Sequence, residues 1–262
     1  MVLDDDHHHV HMDMQALLEG CIANVVSLTT PTDACRFSAV SRSFMSAAES
    51  DAVWDKFVPH DIPSILSHHS SSSSSSTSSK KELYLTLCEN PILLDDGKML
   101  FFLDKWSGKK CYMISARDFM IPWGDSPDKW GWHSVADSRF EEVAELRSVW
   151  WLEIRGNIET RILSPSTVYQ AYLVFKLSAT VDGFDRDDSL KVTVGLLGEE
   201  EVSSNRAVFL DQEEVPVGTS ETQYPKKRTD GWFEMEMGEF FCPGEEDGAI
   251  IEMTCMEVNN WT

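Results

Sequence analysis

The sequence predicts an α+β chain in which a small all-α N-terminal region is joined by a Ser-rich linker to an antiparallel β-sandwich. Three observations carry that prediction. Apolar residues between Leu17 and Phe57 recur at helical spacing, residues 62–79 are dominated by serine, and beyond Asn90 short apolar segments are separated by turn dipeptides.

In the first block Leu17, Leu18, Cys21, Ile22, Val25 and Val26 fall at i, i+1, i+4, i+5, i+8 and i+9, the period of one helical face. Thr30-Pro31-Thr32-Asp33 then reads as a helix start. Thr30 can cap, Pro31 has a preset φ and no N–H to leave unpaired, and Asp33 holds the capping-box position. A second helix puts Phe37, Val40, Phe44 and Ala47 on one side, and Trp54 closes the block. Fewer than about 70–80 residues rarely supply a sufficient core. The pattern therefore fits a docking module whose apolar face is finished by another protein, and equally the helical start of an ordinary domain.

The block resembles an F-box of the kind found in plant lectin-type F-box proteins. The resemblance rests on Leu17, Glu19-Gly20-Cys21-Ile22-Ala23, Thr29-Thr30-Pro31, Asp33-Ala34-Cys35-Arg36, Val40-Ser41 and Asp51-Ala52-Val53-Trp54. Leu18 stands where the family usually has proline, which gives up a rigid helix start but keeps an apolar contact. The resemblance implies binding to the Skp adaptor of a cullin-based ubiquitin ligase. The gripping residues would be Leu17, Leu18, Ile22, Val26, Val40, Phe44 and Trp54.

The serine run cannot bury a core and reads as a flexible tether over 61–80, between an F-box over 14–60 and a second domain over 81–262. Residues 1–13, acidic and His-rich, read as a disordered tail. Lys80 to Cys88 predicts a short helix. Strands are predicted at Trp150 to Ile154, Tyr169 to Leu177, Leu190 to Leu197, Trp232 to Met237 and Ala249 to Val258. The segment from Tyr169 is denser in apolar residues and reads as a more central strand. Asp95-Asp96-Gly97, Asp182-Gly183, Asp230-Gly231 and Pro243-Gly244 supply turns, and Glu141 to Leu146 reads as a brief helical interruption.

Chemistry concentrates between Met99 and His133, where Trp106, Trp123, Trp130 and Trp132 fall. Trp123 and Trp130 stand beside Gly, Asp, Ser and Pro, in predicted loops. An exposed indole can stack on the C–H face of a sugar and donate one hydrogen bond, with Asp125, Ser126 and Asp128 nearby for hydroxyls. The same rings could instead plug the end of a sandwich.

This region resembles the phloem lectin, or Nictaba-like, domain. The matching pieces begin with Leu103-Asp104-Lys105-Trp106-Ser107-Gly108-Lys109-Lys110-Cys111-Tyr112, Ser115-Ala116-Arg117-Asp118, Trp123-Gly124-Asp125-Ser126-Pro127 and Trp130-Gly131-Trp132. They continue through Trp151-Leu152-Glu153-Ile154, Ala171-Tyr172-Leu173-Val174-Phe175 and Asp230-Gly231-Trp232. The resemblance implies a β-sandwich that binds N-acetylglucosamine oligomers or N-glycan cores. Trp123 and Trp130 would be the sugar-binding tryptophans, with Trp132 and Tyr112 as secondary candidates. Relatives continue past the Asn-Trp near the end with a further strand, so the expectation is a sandwich lacking its final strand.

Composition narrows the partners. The formal net charge is −22, and from Asp182 to Glu257 there are 20 acidic against 6 basic residues. That disfavours nucleic acid and anionic membranes. No apolar run approaches the roughly 20 residues that span a bilayer, and the N-terminus lacks a hydrophobic leader core, so the expected location is cytoplasm or nucleus. On the same ground the sequon Asn260-Trp261-Thr262 is expected to stay unmodified. Six scattered cysteines without a C-x-x-C pair read as small hydrophobes in a reducing compartment. Asp182, Asp185, Asp187 and Asp188 form an acidic turn without the glycine and terminal Glu of a calcium loop. Nucleophile-elbow, phosphate-loop, dinucleotide and zinc-protease motifs are absent. Glu234 and Glu236 lie about 6.6 Å apart along one strand face, a spacing any i, i+2 pair has, and a solvated face accounts for them.

The sequence therefore predicts a non-catalytic adaptor without cofactor or metal. It would dock on the Skp adaptor and cullin complex and present a glycoprotein or other target. A stand-alone carbohydrate-binding lectin is the alternative.

Overall fold

The computed structural model describes residues 14–67, 79–177, 189–199, 204–209, 224–244 and 248–257. The His-rich tail, most of the serine run, the Asp182–Asp188 turn and the Asn260 sequon lie outside them, as do the chain end and the Leu17 side chain. Six helices come first: α1 (Met14–Val26), α2 (Pro31–Phe37), α3 (Arg42–Glu49), α4 (Asp51–Phe57), α5 (Ile62–Ser67) and α6 (Lys80–Glu89). The strands follow: β1 (Ile92–Leu94), β2 (Met99–Leu103), β3 (Lys110–Ile114), β4 (Trp130–His133), β5 (Val143–Leu146) and β6 (Glu153–Glu159). After them come β7 (Thr167–Phe175), β8 (Leu190–Leu196), β9 (Ser204–Val208), β10 (Lys226–Lys227), β11 (Phe233–Cys242) and β12 (Ile250–Glu257). The strands fall into sheets ordered β1-β2-β3, β10-β11-β7, β6-β12-β8-β9 and β4-β5. No helix among the described residues is long and apolar enough to cross a membrane.

The chain forms two compact units, one drawn from Met1–Ile92 with Phe101–Cys111, the other from Leu93–Leu100 with Tyr112–Thr262. In the helical unit the predicted start at Thr30 is present. Its hydroxyl accepts from the Asp33 N–H at 3.1 Å and donates to the Asp33 carboxylate at 2.9 Å, with Pro31 in the first turn. The long second helix predicted from Thr30 is instead two helices. Ser38 turns its hydroxyl back onto the Cys35 carbonyl, and Ser41 caps the Phe44 N–H at 3.3 Å, so α3 starts afresh. Phe37 and Phe44 still meet across the break, ring centroids 5.9 Å apart.

The helical block finds much of its missing core within its own chain. Trp54 is 1 % exposed, its indole N–H donates to the Ala48 carbonyl at 2.6 Å, and its ring lies 5.2 Å from that of Tyr84 on α6. The Tyr84 hydroxyl donates to the Asp104 carbonyl at 3.0 Å, tying the segment 101–111 to the same cluster. Gly108, with φ +72, fits closely against the Phe57 carbonyl, Pro31 and Tyr84. The predicted helix after the serine run is α6, capped by Ser79. The stretch read as tether opens with α5, where Ile62 is buried and Asp61 forms an ion pair with the buried Lys110.

In the sheet unit Met235, Met237, Phe240 and Cys242 of β11 and Ala171 of β7 share one core with Leu190, Val192 and Val194 of β8, Val208 of β9, and Ile251 and Cys255 of β12. This is the two-sheet packing predicted. β11 and β7 pair antiparallel with a bulge between Glu236 and Gly238, which turns Met237 and Gly238 both inward. β7 has only β11 beside it among the described residues, so it stands at an edge there and not in the more central place its apolar density predicted. One of its faces joins the core while Val168 and Tyr172 on the other are exposed. The helix predicted at Glu141 to Leu146 is strand β5, because pairing Leu146, Ala144 and Val143 with Trp130, Trp132 and His133 outweighs local helical preference. All six cysteines are free thiols. Burial pushes Cys255 up to about 12 and Cys111 up to about 11, which makes both inert, whereas Cys21 and Cys35 are exposed.

Candidate functional site

Each unit presents a surface whose residues are not explained by packing. On the helical unit, Leu18, Ile22 and Val25 form a stripe at i, i+4 and i+7 on α1. Leu18 and Val25 are exposed and Ile22 half-buried. Leu28 just beyond the helix is 87 % exposed, and Val40 and Met45, before and on α3, are exposed as well. α1 packs against α3. Of the residues the sequence singled out here, Leu18 and Val40 face outward, Ile22 and Phe44 are half-buried, and Val26 and Trp54 lie in the core. Val25 was read in the helical stripe but not among the gripping residues, and Leu28 and Met45 were not singled out. Their signal was apolar residues left over once Val26 and Ala23 had taken the inner face.

The second surface is aromatic. Trp130 on β4 is buried and its indole N–H donates to the Pro122 carbonyl at 3.2 Å. Trp132, two residues along, donates to the Gly124 carbonyl at 2.8 Å, with the Arg117 guanidinium 3.7 Å over its ring. The two indoles thus clamp the carbonyls on either side of Trp123. Between them Trp123 sits at φ +56, a left-handed conformation unusual for a bulky residue and held by its surroundings. Its side chain meets Trp151 edge-on at 4.6 Å and Trp150 at 5.6 Å. Trp150 is 71 % and Trp151 41 % exposed, and Lys129 lies 5.2 Å over the Trp150 ring. β6 was predicted to start at Trp150, but it starts at Glu153, which leaves both rings on the preceding loop. Beside this cluster an open cleft of about 330 Å³ is lined by Met120, Ile121, Pro122, Glu153 and Arg155.

The sequence-predicted tryptophans therefore do different jobs. Trp123 is part of the platform, Trp130 and Trp132 hold its loop, and Tyr112 is remote in role, its hydroxyl donating to the Ile162 carbonyl at 2.9 Å while its ring packs on the core. Trp150 and Trp151 complete the platform. Their adjacency in sequence hid them, because one of any two neighbours in a predicted strand is expected to point inward.

Known proteins share both parts. Residues 109–262 match the family model described as phloem protein 2. The chain is 44% identical over 240 residues to F-box protein PP2-B10 of Arabidopsis thaliana, covering 91% of this chain and 85% of that protein. It is 44% identical over 247 residues to F-box protein At2g02240 of the same plant, covering 93% and 74%. With F-box protein SKIP3, also from Arabidopsis thaliana, identity is 40% over 251 residues, covering 95% and 82%. Such coverage takes in the helical unit together with the tryptophan platform. The chain belongs to the phloem protein 2 family, in the group whose members are named F-box proteins.

Proposed function

We propose that this chain is a substrate-recognition subunit of a cullin-type ubiquitin ligase, non-catalytic in itself. Its helical unit docks on the Skp adaptor and its sheet unit binds a glycan-bearing target. The observation that carries the docking half is the apolar set Leu18, Val25, Leu28, Val40 and Met45, left exposed after the unit's interior has been filled by Trp54, Tyr84 and Val26. An exposed patch of this kind is the mark of an interaction surface. Val25→Glu combined with Val40→Glu should abolish co-precipitation of a recombinant Skp adaptor while leaving the melting temperature unchanged, since both side chains are already in water. Failure of the wild-type chain to retain the adaptor removes the ligase reading and leaves the stand-alone lectin.

The observation that carries the recognition half is the Trp123, Trp150 and Trp151 platform beside an open cleft. Calorimetric titration with chitin oligomers tests it. Trp150→Ala and Trp151→Ala should each weaken binding by about 30-fold, the effect of deleting a contact tryptophan worth about 2 kcal/mol. Trp130→Phe keeps the buried ring and frees the Pro122 carbonyl. It should weaken binding about fivefold, through the loosened Trp123 loop, at a cost of about 1 kcal/mol. Unaltered titrations for all three variants would move recognition away from this platform.

A further inference from the structure

Three hydroxyl residues in the sequence stand directly before a proline: Thr30, Ser126 and Ser164. The fold leaves them in different positions. The Thr30 hydroxyl caps α2, donating to the Asp33 carboxylate and accepting from the Asp33 N–H. Ser164 is buried. Ser126 is partly exposed, and Asp125, Pro127 and Asp128 around it are exposed. Its hydroxyl has no hydrogen-bond partner among the described residues. Ser126 alone of the three also has a cation three residues on, in Asp125-Ser126-Pro127-Asp128-Lys129, where Thr30 has Asp33 and Ser164 has Thr167.

We infer that Ser126 is a phosphorylation site for a proline-directed protein kinase that also reads a cation at the third position beyond, and that its phosphate loosens the tryptophan platform. The second half rests on the platform reading above. Proline carries no N–H, so the pocket that receives it can be closed and apolar without stranding a donor. A lysine three residues on meets anionic groups of the enzyme, the charge patterning by which kinases choose among serines. Ser126 Oγ attacks the γ-phosphorus of ATP. The new O–P bond forms as the bond from that phosphorus to the β,γ-bridging oxygen breaks, ADP leaves, and the hydroxyl proton passes to the kinase's base. A kinase cleft takes its segment extended, so the turn at Ser126 opens first. That turn is held by the Ser126 N–H on the Trp123 carbonyl and by the Ser126 carbonyl accepting from Lys129 and Trp130, each at 2.9 Å. Three turn bonds in a loop with exposed neighbours open locally at low cost.

The phosphate brings about two negative charges into a loop that already holds Asp125 and Asp128. Its nearest cation along the turn is Lys129, whose ammonium lies 3.5 Å from the Asp128 carboxylate and 5.2 Å over the Trp150 ring. Arg147 is already occupied, its Nη1 donating to the Pro127 carbonyl at 2.8 Å and its Nε 3.5 Å from the Glu145 carboxylate. Lys129 is therefore the group that a phosphate on Ser126 draws in, away from Trp150. The ring loses the charge that steadies it, and it is one of the three that make the platform.

Incubating the full chain with a recombinant cyclin-dependent kinase and ATP tests the site, read by phosphopeptide mass spectrometry, with a peptide of residues 121–133 as the kinase control. Ser126 should be phosphorylated in the folded chain, and Ser126→Ala should leave that stretch unmodified. Lys129→Ala should slow the modification by about tenfold, the worth of one hydrogen-bonded charge. The switch is read without any sugar, so its failure and failure of the platform reading are distinguishable. The Trp150 indole N–H signal in a proton–nitrogen NMR spectrum, assigned with Trp150→Phe, should move on phosphorylation. Lys129→Ala should move it the same way with no phosphate present. Binding of chitin oligomers should weaken about fivefold on phosphorylation, the worth of one exposed cation–π contact. A full chain that stays unmodified at Ser126 overturns the site, whether or not the peptide is phosphorylated. A Trp150 signal indifferent to the phosphate overturns the switch.

Discussion

Trp54→Ala should unfold the helical unit instead of merely loosening a surface contact. The indole is 1 % exposed, packs on Phe57 and Tyr84, and donates to the Ala48 carbonyl. Removing a buried tryptophan costs about 3–5 kcal/mol through lost transfer energy and the cavity left behind. It also strands a buried carbonyl. A unit of this size has little more than that to lose, since whole domains hold only about 5–15 kcal/mol. Chemical denaturation followed by far-UV circular dichroism should show the early part of the transition shifted or gone, with adaptor capture lost as a consequence. Val25→Glu with Val40→Glu makes the contrast, because there capture should be lost with the melt intact. A Trp54→Ala chain that melts like wild type and only fails to bind would return Trp54 to the docking surface.

Gly238→Ala should be the most damaging small change in the sheet unit. Gly238 lies at the β11 bulge with φ +148, where L side chains are strained. A Cβ built there would stand 2.3 Å from both Cβ and Oγ of Ser204 on β9. Strained backbone costs about 1–3 kcal/mol and forced overpacking about 1–3 more. The melting temperature should fall by many degrees. Ser204→Gly introduced together with Gly238→Ala should recover the steric part and leave the backbone part. A Gly238→Ala protein as stable as wild type would mean that the bulge relaxes freely.

Much of this molecule was legible beforehand because local chemistry and tertiary structure agree. The Thr30-Pro31-Asp33 cap, helix α6 behind Ser79, and strands β8, β11 and β12 all sit within a few residues of where periodicity put them. The misreadings share a cause. Phe37, Val40, Phe44 and Ala47 satisfy one helical face on paper, yet two serine hydroxyls compete for the backbone and split it. Val143 to Leu146 has helix-compatible residues, but the open edge of β4 recruits it as a strand. Edge or centre of a sheet is a property of neighbours, and the apolar density of β7 could not report it.

The candidate sites show the same division. Residue types and spacing were enough to mark a helical N-terminal module, an aromatic-rich region and antiparallel sheets, because hydrophobic periods and turn dipeptides are local quantities. Which tryptophan meets solvent was settled only when the chain folded. Trp123, Trp130 and Trp132 are chemically alike, and what separates platform from clamp is whether an indole N–H finds a carbonyl on a neighbouring loop. Likewise Trp54 belongs to the core because Tyr84, thirty residues on, comes back to cover it. Burial and hydrogen-bond partnership depend on contacts between distant parts of the chain, and those exist only in three dimensions.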